Sequence, residues 1–259
     1  MIILTGPKGF IGQNFLKYLN SPVLEIEQQN CFEFLQSFKN WNQVSLILHQ
    51  GAISSTTERD INTLHHYNVE FTLKLFQKAI EYQIPVKFAS SASVYGNTSG
   101  EINPLNYYAI TKLQVDYFIQ DNLDKFSSIQ SFRYYNVYGN HEDHKGDQAS
   151  PISKFTRQVR ETGKIKLFDG SHQFLRDFVC VDDIINIVLN NNKPSGIYDL
   201  GTSNPISFQE VADLVIKKEG GIIEYIPFPQ HLKGKYQSYT CAKKEFDYNF
   251  ISVADYLKV

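Results

Sequence analysis

Two rhythms of apolar and polar positions alternate along the first half of the chain. Met1 to Thr5 is a short apolar run; the glycine-spaced GPKGFIG and the amphipathic QNFLKYLN follow at once, a strand, a turn and a helix. PVLEIEQ (Pro22 to Gln28) reads as a second strand, VSLILHQGA (Val44 to Ala52) as a buried parallel strand and EFTLKLFQKAIEY (Glu70 to Tyr82) as a helix. VKFASSAS continues as a strand, YYAITKLQVDYFIQDN as a helix and SIQSFRYYNVYG as a strand running into a loop. Strands that alternate with helices predict an α/β chain built on a Rossmann-like, doubly wound parallel sheet.

After Tyr138 the pattern changes. HEDHKGDQASPIS is polar and irregular, KIKLFDG and DFVCVDDI look like strand material, and IEYIPFPQHLKGKY is extended and punctuated by proline. SFQEVADLVIKK is a capped amphipathic helix, with Ser207 at the N-cap and Glu210 three residues on. These segments predict a smaller C-terminal lobe at the strand ends, where open α/β sheets bind ligands.

Composition narrows the partners. In 259 residues with 42% hydrophobic content and a formal charge of −2, no basic face points to nucleic acid. Cys31, Cys180 and Cys241 are far apart and form no CxxC pair, which predicts reduced thiols and a cytoplasmic protein. No apolar run approaches the roughly 18 residues of a membrane helix, so no membrane partner is expected.

The chemistry starts at Gly6, Gly9 and Gly12, whose GxxGxxG spacing falls between the first strand and its helix. Glycines there let backbone N–H groups and a helix N-terminus approach a pyrophosphate. About 20 residues on, the usual place of an acid that holds the adenosine ribose, Glu25 and Glu27 lie at the end of the second strand, and alternation turns one of them toward a cofactor. An acid there favours NAD over NADP, because it repels a 2′-phosphate.

Tyr108 and Lys112 form a YxxxK pair, on one face of a helix. The spacing is not rare, since Tyr239 and Lys243 repeat it; context selects Tyr108, on the helix after a strand that ends in SSASVYG. An ammonium near the phenol favours the phenolate, and Ser91 is placed to share a substrate oxygen. His141, Glu142, Asp143 and His144 invite a metal reading, but no HExxH is present and a zinc site needs further ligands, so no metal is expected. His49, His65 and His66 receive no role.

The order GxxGxxG, SSASVYG, YxxxK resembles the extended short-chain dehydrogenase/reductase superfamily. HQGAISSTTERD, ASSASVYG, FRYYNVYG…HKG, KLFDGS…RDFV and IEYIPFPQHLKGKYQ narrow the resemblance to the ADP-glyceromanno-heptose 6-epimerases, from His49 almost to the C-terminus. That resemblance implies an isomerase that inverts C6″ of a nucleotide-activated glycero-manno-heptose for lipopolysaccharide core synthesis. It implies transient oxidation by NADP or NAD, one per subunit and retained through the cycle, and a homo-oligomer.

It also implies roles for individual positions. Tyr108, Lys112 and Ser91 fall on the catalytic cluster, and Lys145 on a second acid/base residue. Gly6, Gly9, Phe10, Ile11 and Gly12 fall where the pyrophosphate is held. Glu27, Gly51, Ala52, Ile53, Ser54, Asn68, Lys112 and Val137 fall on the cofactor side. Asn136, Asp147, Lys154, Phe168, Asp169, Gly170, Ser171, Arg176 and Tyr236 fall on the nucleotide-sugar side. The expected division gives residues 1–136, with 177–203 and about 237–246, to a dinucleotide-binding domain, and 137–176, 204–236 and 247–259 to a substrate-binding lobe.

Three features depart from the family. The stretch from Gly12 to His49 is much shorter, so a third strand and the lysines that would neutralise a 2′-phosphate are expected to be missing. Asp147 stands for a serine and Lys154 for a histidine. The rival readings are an epimerase on another nucleotide sugar, such as a GDP-heptose or a 4-epimerase substrate, and a catalytically weak cofactor-binding homologue. A dehydratase is disfavoured, because Ala92 and Ser93 stand where its acid pair would be.

Overall fold

The structure is a computed structural model that describes residues 1–97, 100–230 and 237–259, with the side chain of residue 147 left out. In chain order the elements are β1 (Ile2–Thr5), α1 (Phe10–Tyr18), β2 (Val23–Ile26), α2 (Cys31–Ser37), β3 (Leu46–His49), α3 (Ile61–Leu64), α4 (Phe71–Glu81), β4 (Val86–Ser91), α5 (Tyr107–Asp121) and β5 (Ile129–Tyr134). There follow β6 (Asn136–Tyr138), α6 (Pro151–Thr162), β7 (Lys164–Phe168), β8 (Leu175–Arg176), β9 (Phe178–Cys180), α7 (Val181–Asn190), β10 (Gly196–Leu200), β11 (Ile206–Ser207), α8 (Phe208–Glu219), β12 (Ile222–Ile226) and α9 (Val253–Leu257).

A six-stranded sheet has the order β10-β5-β4-β3-β1-β2, and its β5-β4, β4-β3, β3-β1 and β1-β2 pairs are parallel. The central strands read as unbroken apolar runs because both faces are covered: the adjacent residues Ile3 and Leu4, and Ile47 and Leu48, are all fully buried. Strand order reverses between β1 and β3, and at such a switch point the loops leaving the carboxyl ends of the two strands diverge around a crevice. β2 is the sheet edge, with only α2 and two short 3₁₀ turns between it and β3, so the shortened segment carries no further strand.

The chain forms two compact units. The first comprises 1–94, 104–134 and 185–198. Its core joins Ile3, Ile47, Val86, Phe88 and Ile129 of the sheet to Phe34, Leu75, Phe76, Val115 and Ile119 of the helices, with Trp41 buried among them. The helix α2 escapes a periodicity reading, since its Phe32 finds partners far along the chain, stacking on His66 and meeting Phe71 edge-on, and just after it Trp41 stacks on Tyr82.

The second unit comprises 95–103, 135–184 and 199–259. Its core packs Ile152, Phe155 and Val159 of α6 and Val211, Ala212 and Val215 of α8 with Ile165 and Leu167 of β7. The α6 helix opens on a Ser-Pro signal, Ser150 accepting from Ser153 N–H (3.2 Å) ahead of Pro151, and α8 has the capping box expected of Ser207 and Glu210. Among the described residues, no helix is long and apolar enough to cross a membrane.

Candidate active site

The glycine loop is shaped by close backbone approach. Gly6 takes φ +67°, and a Cβ there would lie 2.6 Å from Gly51 Cα; a Cβ on Gly12 would lie 2.0 Å from Gly6 O. Gly9 is the N-cap of α1 and supplies no side-chain cap, so the first turn, with Phe10 and Ile11, keeps backbone donors for an anion. Of the two acids after the glycine loop, Glu25 is exposed on β2, while Glu27 reaches back and accepts from Lys8 N–H at 2.8 Å. Glu27 and Asn30 also cap each other, which fixes the carboxylate beside the loop.

The loop after β3 is held from both ends. Gly51 N–H donates to Thr5 Oγ1 (2.9 Å), and Ile53 is clamped by Asn68, whose Oδ1 accepts Ile53 N–H (2.8 Å) and whose Nδ2 donates to Ile53 O (3.0 Å). Asn68 is buried because the helix between α3 and α4 widens into a π turn over His65–Glu70, Phe71 N–H bonding back to His66 O. Ala52 is half-buried in this loop and Ser54 exposed.

Ser91, Tyr108 and Lys112 come together in the first unit. Ser91 ends β4, accepts from Ser93 N–H (3.2 Å) and hydrogen-bonds the Tyr108 side chain. Tyr108 lies in the first turn of α5, where Asn106 caps the helix by accepting from Ala109 N–H (2.9 Å). Lys112, one turn on, is 3% exposed; its Nζ donates to Ala89 O at 2.6 Å and lies 4.7 Å from the Phe88 ring centroid and 5.9 Å from that of Tyr108.

Burial pushes Lys112 down to about 8, with Asp116 opposing the shift. Burial also raises the Tyr108 phenol, against the pull of the Ser91 hydrogen bond and with the Asp116 charge adding to it. The lowering of Tyr108 expected from Lys112 is therefore not found; desolvation sets the direction of the shift. Asp116 is itself engaged, accepting from Ser131 Oγ (2.9 Å) and Arg133 Nε (2.8 Å).

These residues fit a dinucleotide. The Gly6–Gly12 approach makes a cradle that a side chain would fill, and three buried polar atoms, Gln50 Nε2, Ser90 Oγ and Ser93 Oγ, have no hydrogen-bond partner among the described residues. All three follow or end β3 and β4, at the carboxyl ends of the strands. Sequence reasoning assigned none of them a binding role; their mark is burial without partners among the described residues.

The second unit holds the remaining candidates. Asn136 and Val137 lie on β6, paired with β9, and Asn136 Oδ1 accepts from Thr240 Oγ1 (3.0 Å). Phe168 packs its ring 5.5 Å from Phe228, Asp169 N–H donates to Ile226 O (2.8 Å), Gly170 is left-handed and Ser171 Oγ donates to Phe168 O (2.6 Å). Arg176 is buried over the Phe208 ring, and its guanidinium donates to the carbonyls of Leu175 (3.1 Å) and Gln237. Lys154 is half-buried on α6. Tyr236 and the Asp147 side chain lie outside the described residues.

Lys145 sits in a 3₁₀ turn, Asp143–Gln148, and burial lowers its ammonium pKa, with Glu142 opposing. Glu142 organises that loop. It is 2% exposed and accepts from Gly139 N–H (2.9 Å), Ser150 N–H (2.5 Å) and Ser150 Oγ (2.8 Å), while its own carbonyl takes Lys145 N–H (2.9 Å). Sequence reasoning weighed this acid only as a member of a metal-like cluster and gave it no role; its burial is what marks it.

Residues 2–201 match the NAD dependent epimerase/dehydratase family. Two relatives are ADP-L-glycero-D-manno-heptose-6-epimerases: that of Alkalilimnicola ehrlichii is 37% identical, with 93% of this chain and 88% of the relative covered, and that of Brachyspira hyodysenteriae 36%, with 93% and 89%. The crystal structure of the Helicobacter pylori ADP-L-glycero-D-manno-heptose-6-epimerase superposes with a TM-score of 0.85 at 25% identity, covering 99% of this chain and 93% of that one. The Thermus thermophilus UDP-glucose 4-epimerase, solved with NAD, shares the fold at a TM-score of 0.78 and 22% identity, covering 93% and 90%. With its glycine loop, its serine, tyrosine and lysine cluster and a family match over most of its length, the chain belongs to the NAD dependent epimerase/dehydratase family.

Proposed function

We propose that this protein inverts C6″ of a nucleotide-activated glycero-manno-heptose, converting ADP-D,D-heptose to ADP-L,D-heptose by transient oxidation, with its cofactor retained, in lipopolysaccharide core synthesis. A bound NAD(P) supplies reversible oxidation of the carbinol carbon. Gly6 to Gly12 and the first turn of α1 would hold its pyrophosphate, Glu27 its ribose, and the Gly51–Ser54 loop would line it. Glu27 tied to Lys8 N–H favours NAD over NADP, since a 2′-phosphate would meet a fixed carboxylate.

The observation that carries the reading is a pair of titratable groups whose environments push them in opposite directions. Tyr108 is raised and so kept as a phenol, and Lys145 is lowered toward the neutral amine. Such a divergence supports one group acting as acid and the other as base. Inversion requires a proton to leave one epimer and a proton to reach the other from a different direction, so two groups are needed where a reductase needs one. In one direction Lys145 takes the hydroxyl proton and Tyr108 delivers one to the new alkoxide, and exchange with solvent then returns a proton to Tyr108 and removes one from Lys145; in the reverse direction they exchange roles. Ser91 orients the substrate oxygen and Lys112 the cofactor.

Incubation of the protein with ADP-D,D-heptose and NAD(P), followed by NMR, tests the reading: the epimer ratio moves to equilibrium, and an unchanged ratio refutes it. Asp147 and Lys154 depart from the sugar-nucleotide loop of the family that the chain resembles, which leaves a second reading in which the substrate is another nucleotide sugar, such as a GDP-heptose. Ranking ADP- and GDP-heptose by kcat/KM decides between them. The proposal includes a cytoplasmic homo-oligomer, and light scattering in solution checks the assembly.

A further inference from the structure

His49, left without a role by the sequence, ends β3 and is 1% exposed. The rings of Phe71, Phe76 and Phe88 surround it at 5.4–6.0 Å between centroids. Its Nδ1 lies 2.6 Å from Thr5 Oγ1 and its Nε2 lies 2.8 Å from Thr72 Oγ1. The direction of both bonds follows from what lies beyond them. Thr72 Oγ1 gives its hydrogen to Asn68 O (2.8 Å), so toward the ring it accepts, and Nε2 carries the proton. Nδ1 is then a bare acceptor for the Thr5 hydroxyl, which in turn accepts Gly51 N–H (2.9 Å).

The chain of bonds continues past Asn68. Its carboxamide clamps Ile53 and donates to Thr111 Oγ1 (3.2 Å), which donates to Tyr108 O (2.7 Å). A second proton on the ring would leave the Thr5 hydroxyl without its acceptor, and burial together with the Lys112 charge holds His49 down to about 3. Every member of the chain lies in the first unit.

We propose that His49, as the neutral Nε2–H tautomer, is a positioning residue: it links the Gly51–Ile53 loop to the first turn of α5 through Thr5, Thr72, Asn68 and Thr111, fixing the cofactor-lining backbone relative to Tyr108. The inference rests on this unit binding a dinucleotide and is independent of which sugar is inverted. It differs from an ordinary core histidine in that its hydrogen bonds end on two segments that would touch cofactor and substrate.

The full-length protein labelled with ¹⁵N-histidine tests it, with His49 assigned by its loss in His49→Gln. A neutral ring protonated at Nε2 from about pH 8 to about pH 5 is expected; an imidazolium or an Nδ1–H ring in that range overturns the proposal. Thr72→Val keeps the shape and removes the bond, so NAD⁺ binding should weaken about tenfold and kcat should fall, with the sugar-nucleotide KM unchanged and Thr72→Ser restoring both. Unaltered NAD⁺ affinity in Thr72→Val refutes the relay. Thr5→Val interrupts the same chain at its other end and replaces Thr72→Val should that variant not fold. A wild-type protein that bound no NAD⁺ would instead remove the dinucleotide reading, and the tautomer result would still decide whether the hydrogen-bond chain exists.

Discussion

Lys112 and Lys145 are both lysines whose burial disfavours the charge, yet they are held in different ways. Lys112 is fixed through its side chain: the turn of α5 places it, Ala89 O receives its ammonium, and the Phe88 and Tyr108 rings lie near it. Lys145 is fixed through its backbone, in a turn that passes through left-handed Gly146 and is tied down by the buried Glu142 carboxylate. A helix positions a side chain through its period, and neighbours only refine the result. A short loop has no period to rely on, so one buried acceptor that gathers its N–H groups replaces it. Lys112, proposed to orient the cofactor, and Lys145, proposed as an acid/base, should therefore fail differently when perturbed.

Removing the Tyr108 hydroxyl is the largest expected effect. Tyr108→Phe should lower kcat for epimerisation by about 10²–10⁴ while the NAD⁺ dissociation constant, read by fluorescence titration, stays within about twofold. Lys145→Met should cost about 10² in kcat, again without loss of NAD⁺ affinity. If it weakened NAD⁺ binding as Lys112→Met is expected to, the two lysines would share one role and the contrast would fail. Glu142→Gln keeps the shape and sets an amide N–H₂ among backbone donors, so urea unfolding should show a loss of about 2 kcal/mol and kcat should fall through the Lys145 loop.

The smallest effect concerns Lys112 and stability. Its pKa is lowered from 10.5 to about 8, so between those values the unfolded chain binds more protons than the folded one and stability rises with pH. Below about pH 8 both states are charged and the folded protein carries the full cost of the buried ammonium. Lys112→Met should therefore unfold at higher urea than wild type near neutral pH, by about 1 kcal/mol, with the gain shrinking as pH rises toward 10.5. A gain that did not change with pH would mean that packing, not charge, limits this site.

Much of the first unit is legible in local sequence. The alternating periods, the glycine spacing after β1 and the Tyr108–Lys112 pair each depend on neighbours a few residues away, and the missing strand follows from the short stretch between Gly12 and His49 set against the family that the chain resembles. The π turn that buries Asn68 has no such signature, because His65 to Glu70 continue an ordinary helical stretch and the widening shows only in which carbonyl Phe71 reaches. Lys145 is legible only by resemblance, and Glu142 beside it looked like any acid in a polar loop.

The sequence alone therefore determined the alternation of strands and helices, the glycine turn after β1 and the helical face that carries Tyr108 and Lys112, because period and spacing are properties of short segments. Tertiary structure alone decided which polar groups are buried and what they meet. The Tyr108 phenol is raised where the pair by itself predicts lowering, since desolvation depends on what covers the ring. His49 has its partners 44 and 23 residues away, and no local pattern reports bonds that close over such distances.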